Sequence, residues 1–396
     1  MFLGGIRYLL PAIEAAHNHD YHVITVDYLP GNIAHRYSDE FHNVSIIDKE
    51  AVLKLAQQLD IDGVLAFAVD PGVVSAAYIA DRMCLPFQCS YKSACILQNK
   101  ALFRQFLFDN GFNVPTARGY SNVSDAIEEA GIFHWPVIVK PVDSAGSKGV
   151  SKVEKPEQLK DAILHALESS HSGRFIIEDF LELKRYQSSA DCFTVDGELV
   201  YSDFSDQLFD KDAANPYTPS LEIWPSSMEK EQQDYLTNEL QRLFRLLNCK
   251  TGIYNVECRV CQDGKAYIME VSPRAGGNRI AELQRIGTGI DLIDAEVCKS
   301  VGDPLGKICQ PAYDGIYVNY IVHSNTSGHF MDVLIDEDFR RKHVIEEEIR
   351  VKEGDWVNVF TGADTAIGTL FLKYSSRDEL ERDFNSSVPK VNVIVE

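Results

Sequence analysis

The stretch Tyr254 to Gly277, YNVECRVCQDGKAYIMEVSPRAGG, constrains this chain more than any other. Asp263-Gly264 is a strong signal for a two-residue hairpin turn. Counting outward from it pairs 262 with 265, 260 with 267 and 257 with 270, so Glu257 faces Glu270. Directly opposed like charges weaken a β ladder, and a fold avoids them unless a cation sits between. Ser272, Arg274 and the Gly276-Gly277 pair follow. Two facing carboxylates, an arginine fixed by the preceding Pro273 and flexible glycines point to a Mg2+–phosphate site. Mg2+ takes one or two carboxylates and completes its shell with phosphate oxygens and water. The alternative is a surface hairpin with two solvated acids.

The rest of the composition bounds what such a site can serve. At 396 residues the chain accommodates two or three domains and a large core. Hydrophobic content of 45% and charged content of 24% are ordinary for a soluble protein. No apolar run approaches the roughly 20 residues that span a bilayer. The N-terminus lacks the basic region and cleavage site of a signal peptide, so a cytoplasmic location is expected. Nine cysteines are an odd, irregularly spaced set. Cys258 and Cys261 fall on one predicted strand with no second pair nearby, which favours reduced buried thiols over zinc. A net charge of −21 argues against nucleic acid or an anionic membrane as the main partner. It leaves room for a nucleotide held by a few lysines and a metal.

Residues 1 to about 93 alternate strand-like runs (Val23–Asp27, Gly63–Phe67) with amphipathic helices (50–59, 72–82). That alternation predicts a parallel sheet with helices on its faces. The first strand, Phe2-Leu3, is very short, and no full GxGxxG follows it, so a dinucleotide fingerprint is not supported. A helix is expected from Asn99 to about Asn110, ended by Gly111. An α+β stretch comes next: strands 137–141, 150–153 and 174–178 with a helix at 156–169. A hairpin turns at Asp196-Gly197. Residues 205–222, polar and Pro-containing, read as a mobile loop, and helices are expected at 229–248 and 290–300. The segment 315–396 is β-rich.

Several of these elements carry candidate chemistry. Lys140 ends the apolar run PVIV and precedes DSAGSKG at 143–149. Gly146 and Gly149 can adopt positive φ and aim backbone N–H groups at anionic oxygens. Ser144 and Ser147 add hydroxyls and Lys148 a charge, although no Walker GK[ST] is present. Lys100 stands in the first turn of its helix, where the dipole disfavours a cation by a few tenths to ~1 kcal/mol. A bound anion would remove that conflict, and a solvated side chain is the alternative. FIIEDFL at 175–181 breaks at Glu178-Asp179 and offers backbone groups to an adenine ring. Arg274, between Pro273 and Ala-Gly-Gly, suits a charge-stabilising arginine or a structural salt bridge.

Taken in order, these residues resemble the ATP-grasp superfamily over nearly the whole chain. Within it, the chain looks most like the branch of amino-acid ligases, glycinamide-ribonucleotide synthetase and carbamoyl-phosphate synthase. The resemblance implies an α/β and α+β fold. A pre-grasp parallel-sheet domain would cover 1–93, and an ATP-grasp domain 94–305 with a glycine-loop lid at about 117–177. A small β-rich C-terminal lobe would cover 306–396. It also implies roles. Lys100 and Lys140 would hold phosphates. Ser144, Gly146, Ser147, Gly149, Phe180, Leu181 and Met269 would join them around the nucleotide, with Glu178 near the adenine amino group. Glu257 and Glu270 would bind Mg2+, and Arg274 would steady the acyl-phosphate chemistry. Two departures stand out. Ser272 replaces the Asn usual for the third metal ligand, with Asn255 across from it as a substitute, and Gln187 replaces the acid that binds ribose.

These features lead to an ATP- and Mg2+-dependent ligase, with Mn2+ as an alternative metal, that joins a small carboxylate to an amine. The expected assembly is a homodimer, with no nucleic-acid or membrane partner. Substrate contacts are expected from 205–222 and from Arg274 to Arg279. A biotin-dependent carboxylase fits less well, since no biotin-carrier motif is present. The competing reading is an ATP-binding regulatory module without turnover.

Overall fold

A computed structural model describes residues 1–144, 146–384 and 389–396. Four sheets organise them. The first is parallel and made of very short strands, β1 (Phe2–Leu3), β2 (Ile24–Asp27) and β3 (Glu40–Asn43), in the order 1-2-3. Leu3 and Val26 are fully buried in it. The expected strand at 63–67 contributes only one parallel bridge, Phe2 to Leu65. The helices Lys49–Gln58 and Asp70–Met83 lie close to the segments expected for them.

The second sheet is antiparallel, ordered β4-β7-β5-β6 from β4 (Ala117–Tyr120), β5 (Val137–Pro141), β6 (Ser151–Val153) and β7 (Phe175–Asp179). Its own core contains Val137, Val139, Ile163, Phe175 and Ile177. The helix Leu159–Glu168 covers one face of it through its buried Leu159, Ile163 and Ala166.

The third sheet has nine strands and carries the site. It comprises β8 (Leu183–Val195), β9 (Glu198–Tyr201), β10 (Asp206–Phe209), β11 (Pro219–Trp224), β12 (Gly252–Cys261), β13 (Ala266–Ser272), β14 (Ile316–Val322), β16 (Val344–Ile349) and β18 (Gly368–Tyr374). The order is 13-12-8-10-11-14-18-16, with β9 attached to β8. Two expectations change here. Residues 205–222 are largely not a mobile loop, because β10 and β11 are central strands and only 210–218 connects them. The C-terminal segment also supplies three strands of this same sheet. A separate small sheet, β17-β15-β19, is built from β15 (Gly328–Ile335), β17 (Trp356–Val357) and β19 (Val391–Val395), and it shares one core with β11, β14 and β18.

The key hairpin reaches the expected glutamate pair by a different path. Its connection has three residues, with Gly264 at φ +80° and its N–H bonded to Cys261 O at 2.9 Å. Val260 therefore pairs with Ala266 and Cys258 with Ile268, one residue away from the expected register. A bulge then makes Met269 the extra residue, and Glu257 pairs with Glu270 after all. Burial explains the choice. Cys258, Val260, Ala266 and Ile268 are all buried, and a one-residue slip would turn Ala266 and Ile268 to the opposite face. Cys258 and Cys261 are buried free thiols on the one strand. No helix among the described residues is long and apolar enough to cross a membrane.

Candidate active site

Asn99 caps the helix Lys100–Asp109, its side chain accepting from the N–H groups of Ala101 and Leu102 at 3.1 Å. That cap fixes Lys100 at the first helical position and directs it inward rather than to solvent. Its Nζ donates to Ser144 O at 2.9 Å and lies 3.4 Å from Glu270 Oε2. One cation thus joins the glycine loop to the carboxylate pair. Burial, and then the Glu270 charge, push the Glu257 carboxyl up from its ordinary value. An oxygen-only donor set under mutual repulsion fits a hard divalent cation.

Ser272 does not join that set. Its Oγ accepts from Gln98 Nε2 at 2.6 Å and donates to Asp70 Oδ1 at 3.0 Å. Asn255 is its register partner, as expected, but the Asn255 amide donates to Asp191 Oδ1 at 3.0 Å and so does not take its place. Both side chains spend their polar atoms on buried acids.

Gly146 and Gly149 adopt φ of +67° and +71°, the left-handed conformation expected of them. Ala145, within the same loop, lies outside the described residues. Ser147 Oγ donates to Tyr217 O at 3.0 Å, so the loop rests against the connection between β10 and β11.

Lys140 and Glu178 form a second centre. Ile138 is the register partner of Glu178 on β7, and Lys140 projects from the same edge of β5. The Glu178 carboxylate is ion-paired with Lys140 and receives Arg104 Nε at 2.8 Å. Burial opposes its charge, but Arg104 and Lys140 hold its pKa down at about 2. Burial also lowers the Lys140 pKa, against the pull of Glu178. This corrects the expected place of Glu178 beside an adenine amino group, since its carboxylate is committed to two cations. The Phe180 N–H is likewise committed, to Pro136 O at 3.0 Å. Among the described residues, no hydrogen bond engages the Leu181 backbone. Met269 enters through its bulge, where its carbonyl accepts from Arg104 Nη1 at 2.7 Å.

Arg274 is held by a residue from the N-terminal segment. Its Nε and Nη2 grip Asp70 at 2.8 and 2.7 Å, and Nη1 donates to Ala275 O. Burial works against the Asp70 charge, but Arg274 keeps its carboxyl below the ordinary value. Gly276 follows because nothing larger fits. A Cβ there would lie 2.7 Å from Ile280 Cδ1 and 2.8 Å from Asn255 Nδ2.

Gln187 is corrected as well. Its amide donates to Gln207 Oε1 at 2.8 Å and Glu257 Oε2 at 3.3 Å, and its oxygen accepts from Arg259 Nε at 2.7 Å. It is an interior link in a polar row across the sheet rather than a ribose-facing group. Asp70, Gln98 and Arg104 were not singled out from sequence. Arg104 is four residues from Lys100 and so on the same helix face, and Asp70-Pro71 opens a helix. Those were the available signals.

Comparison with known proteins adds the lineage. The ATP-grasp domain family matches residues 133–282. The carbamoyl phosphate synthase large chain of Thermoanaerobacter sp. is 24% identical over 220 residues, covering 55% of this chain and 20% of that one. That of Ralstonia nicotianae is 23% identical over 271 residues, 68% of this chain and 23% of that one. The chain therefore spans about a fifth of the length of these relatives. Among solved structures, an L-amino acid ligase from Bacillus licheniformis has a TM-score of 0.82 at 19% identity, covering 100% of this chain and 98% of that one. Phosphoribosylglycinamide synthetase from Anaerococcus prevotii has a TM-score of 0.73 at 20% identity, with 100% and 98% coverage. Residues 133–282 thus match the ATP-grasp domain family, and the chain shares its fold with these structures along its full length.

Proposed function

We propose that the chain is an ATP- and Mg2+-dependent ligase that activates a carboxylate as an acyl phosphate and joins it to an amine. The observation that carries this reading is Lys100, whose Nζ meets both Ser144 O and Glu270 Oε2. It sets one cation between a phosphate-cradling loop and a pair of metal-binding acids. Glu257 and Glu270 would hold Mg2+, or Mn2+ in its place, and the ion would neutralise charge on the phosphates. Lys140 would exchange Glu178 for a phosphate oxygen, leaving Glu178 to Arg104. The Phe180 carbonyl and the Leu181 backbone would remain for adenine.

In the chemistry, a carboxylate oxygen attacks the terminal phosphorus and ADP leaves. The amine nitrogen then attacks the acyl carbon, the C–N bond forms, the C–O bond to phosphate breaks, and the amine gives up a proton. Arg274, held rigidly by Asp70, would meet charge that grows on the moving phosphoryl group. The loop 143–149 would shield the intermediate from water. The partners in this reading are a small carboxylate and a small amine.

The test is a screen of amino acids and small carboxylates, each with and without amines, for stimulated release of ADP and phosphate. Release that depends on one carboxylate and on Mg2+ supports the ligase. A second reading, an ATP-binding module without turnover, is favoured by one observation: Lys140, Arg274 and Ser272 already have protein partners. ATP binding with no release from any pair would establish it instead.

A further inference from the structure

We propose that His19, Asp294 and Cys298 form a Zn2+ site, separate from the Glu257–Glu270 pair and independent of the ligase reading.

Two helices bring the donors together. Asp294 and Cys298 stand four residues apart in the helix Leu292–Val301 and so share one face. His19 is the C-terminal cap of the helix Leu10–Asn18, its N–H bonded to Ala16 O at 3.1 Å. The His19 Nε2 lies 2.6 Å from Asp294 Oδ1 and 3.3 Å from Cys298 Sγ, and the sulfur is 3.9 Å from Asp294 Oδ2. One ligand atom from each residue falls within 4.8 Å of the other two. Zinc bond lengths of ~2.0–2.3 Å set tetrahedral ligand atoms roughly 3.4–3.6 Å apart. The three separations bracket that range, so a metal requires only small adjustments of the side chains.

Hydrogen bonding alone serves this arrangement poorly. A ring nitrogen offers one proton or one lone pair, and Nε2 faces both a carboxylate and a sulfur. Bonding one leaves the other unserved, and the thiol's remaining acceptor, Asp294 Oδ2, is a long 3.9 Å away. A cation takes all three. A Cys–His–Asp nucleophile does not fit either. That relay places the acid on one ring nitrogen and the attacking atom on the other, and here both crowd Nε2.

The donor set names the metal. Imidazole, thiolate and carboxylate together suit borderline-soft Zn2+, whereas Mg2+ prefers oxygen alone. The surroundings hold the imidazole in place. Tyr21 stacks on the His19 ring, with centroids 5.4 Å apart and planes at 22°, and its hydroxyl donates to Asp303. Such outer contacts orient a metal-binding ring. Cys298 is buried, while the side chains of His19 and Asp294 keep 37% and 33% of their exposure. The ion therefore has a way in, and water can complete the tetrahedron. His19 and Asp294 are 275 residues apart, so the ion would tie the first long helix of the chain to the helix Leu292–Val301.

The test uses the whole chain, stripped by a chelator, kept reduced, and free of nucleotide and Mg2+. It is titrated with CoCl2 and then with ZnCl2. Co2+ should raise a sulfur-to-cobalt charge-transfer band, Zn2+ should bleach it, and excess Mg2+ should not. Zn2+ should also raise the melting temperature. His19→Ala, at an exposed position, and Cys298→Ser should each abolish the band and weaken Zn2+ by roughly a hundredfold, no less than the loss of an outer-shell partner. Cys84→Ser and Cys309→Ser remove the two exposed thiols and should change nothing. A wild-type chain without the band, full Zn2+ affinity in His19→Ala, or a band lost with Cys84 or Cys309 instead overturns the site. No readout is an activity, so the site and the ligase reading stand or fall separately.

Discussion

The two ends of the polar sheet face treat their acids in opposite ways. At the Lys100 end three carboxylates have cations, Glu178 with Arg104 and Lys140, Asp70 with Arg274 and Glu270 with Lys100, while Glu257, beside Glu270, is raised by burial. There Glu178 is held down at about 2 despite its burial. Farther along, Asp203, Asp191 and Glu222 are buried without such partners, and burial raises them to about 6, 7 and 8. Similar burial gives shifts of opposite direction, and the nearby guanidinium or ammonium decides between them. The first end is charge-balanced and can trade a carboxylate for a phosphate. The second is short of positive charge.

The contrast breaks most visibly at Arg104. Arg104→Leu leaves Glu178 with Lys140 alone and frees the Met269 carbonyl. It should cost about 3–5 kcal/mol of stability, the scale for breaking a buried pair, read by chemical denaturation. A loss below the ~0.5 kcal/mol of ordinary surface changes would show that Glu178 does not depend on it. Arg274→Ala should bind ATP nearly normally yet lose roughly 10²–10³ in turnover, the scale for one preorganised donor. Substrate-stimulated phosphate release beside ATP affinity is the measurement, and wild-type turnover would make the Asp70 pair purely structural. Glu270→Gln should abolish most Mg2+-dependent activity while the fold survives, and circular dichroism with a Mg2+ titration would reveal either failure.

The smallest effect sharpens the other end. The Glu222 carboxyl titrates near 8 when folded and near 4.5 when unfolded. The protonated acid therefore favours the folded state. That contribution is complete below pH 4.5 and is lost as pH rises through about 8. Glu222→Gln, which never ionises, should melt above wild type at pH 8.5 and converge with it at pH 4. Parallel melting curves at both pH values would mean that Glu222 carries a counter-ion in the folded state.

Much of this was legible from sequence where the signal is local. Lys100 at a helix start, Lys140 at the end of β5, the left-handed glycines and the Glu257–Glu270 pair depend on caps, apolar runs and turn residues. The failures share a cause. Gln207 and Glu222 read as loop because a polar strand inside a site breaks the hydrophobic pattern that marks strands. The partners that decide what each charge does are distant in the chain, and Asp70 stands 204 residues before Arg274. A single sequence carries no period at that range. Ser272 was placed correctly across from Asn255, while the strand that carries Gln187 was not foreseen, and which way each side chain bonds depends on neighbours that packing alone assembles.

The bulge at Met269 has an evolutionary corollary. Because the slack in the hairpin is taken up beside the glutamates, the ladder from Cys258 to Lys265 can follow its own hydrophobic phase. Residues gained or lost at the tip, between Cys261 and Lys265, would then leave the carboxylates where they are. Length variation among descendants of this gene is affordable at that tip. It is not affordable in the four-residue interval from Glu270 to Arg274, where one extra residue would carry the arginine out of reach of Asp70.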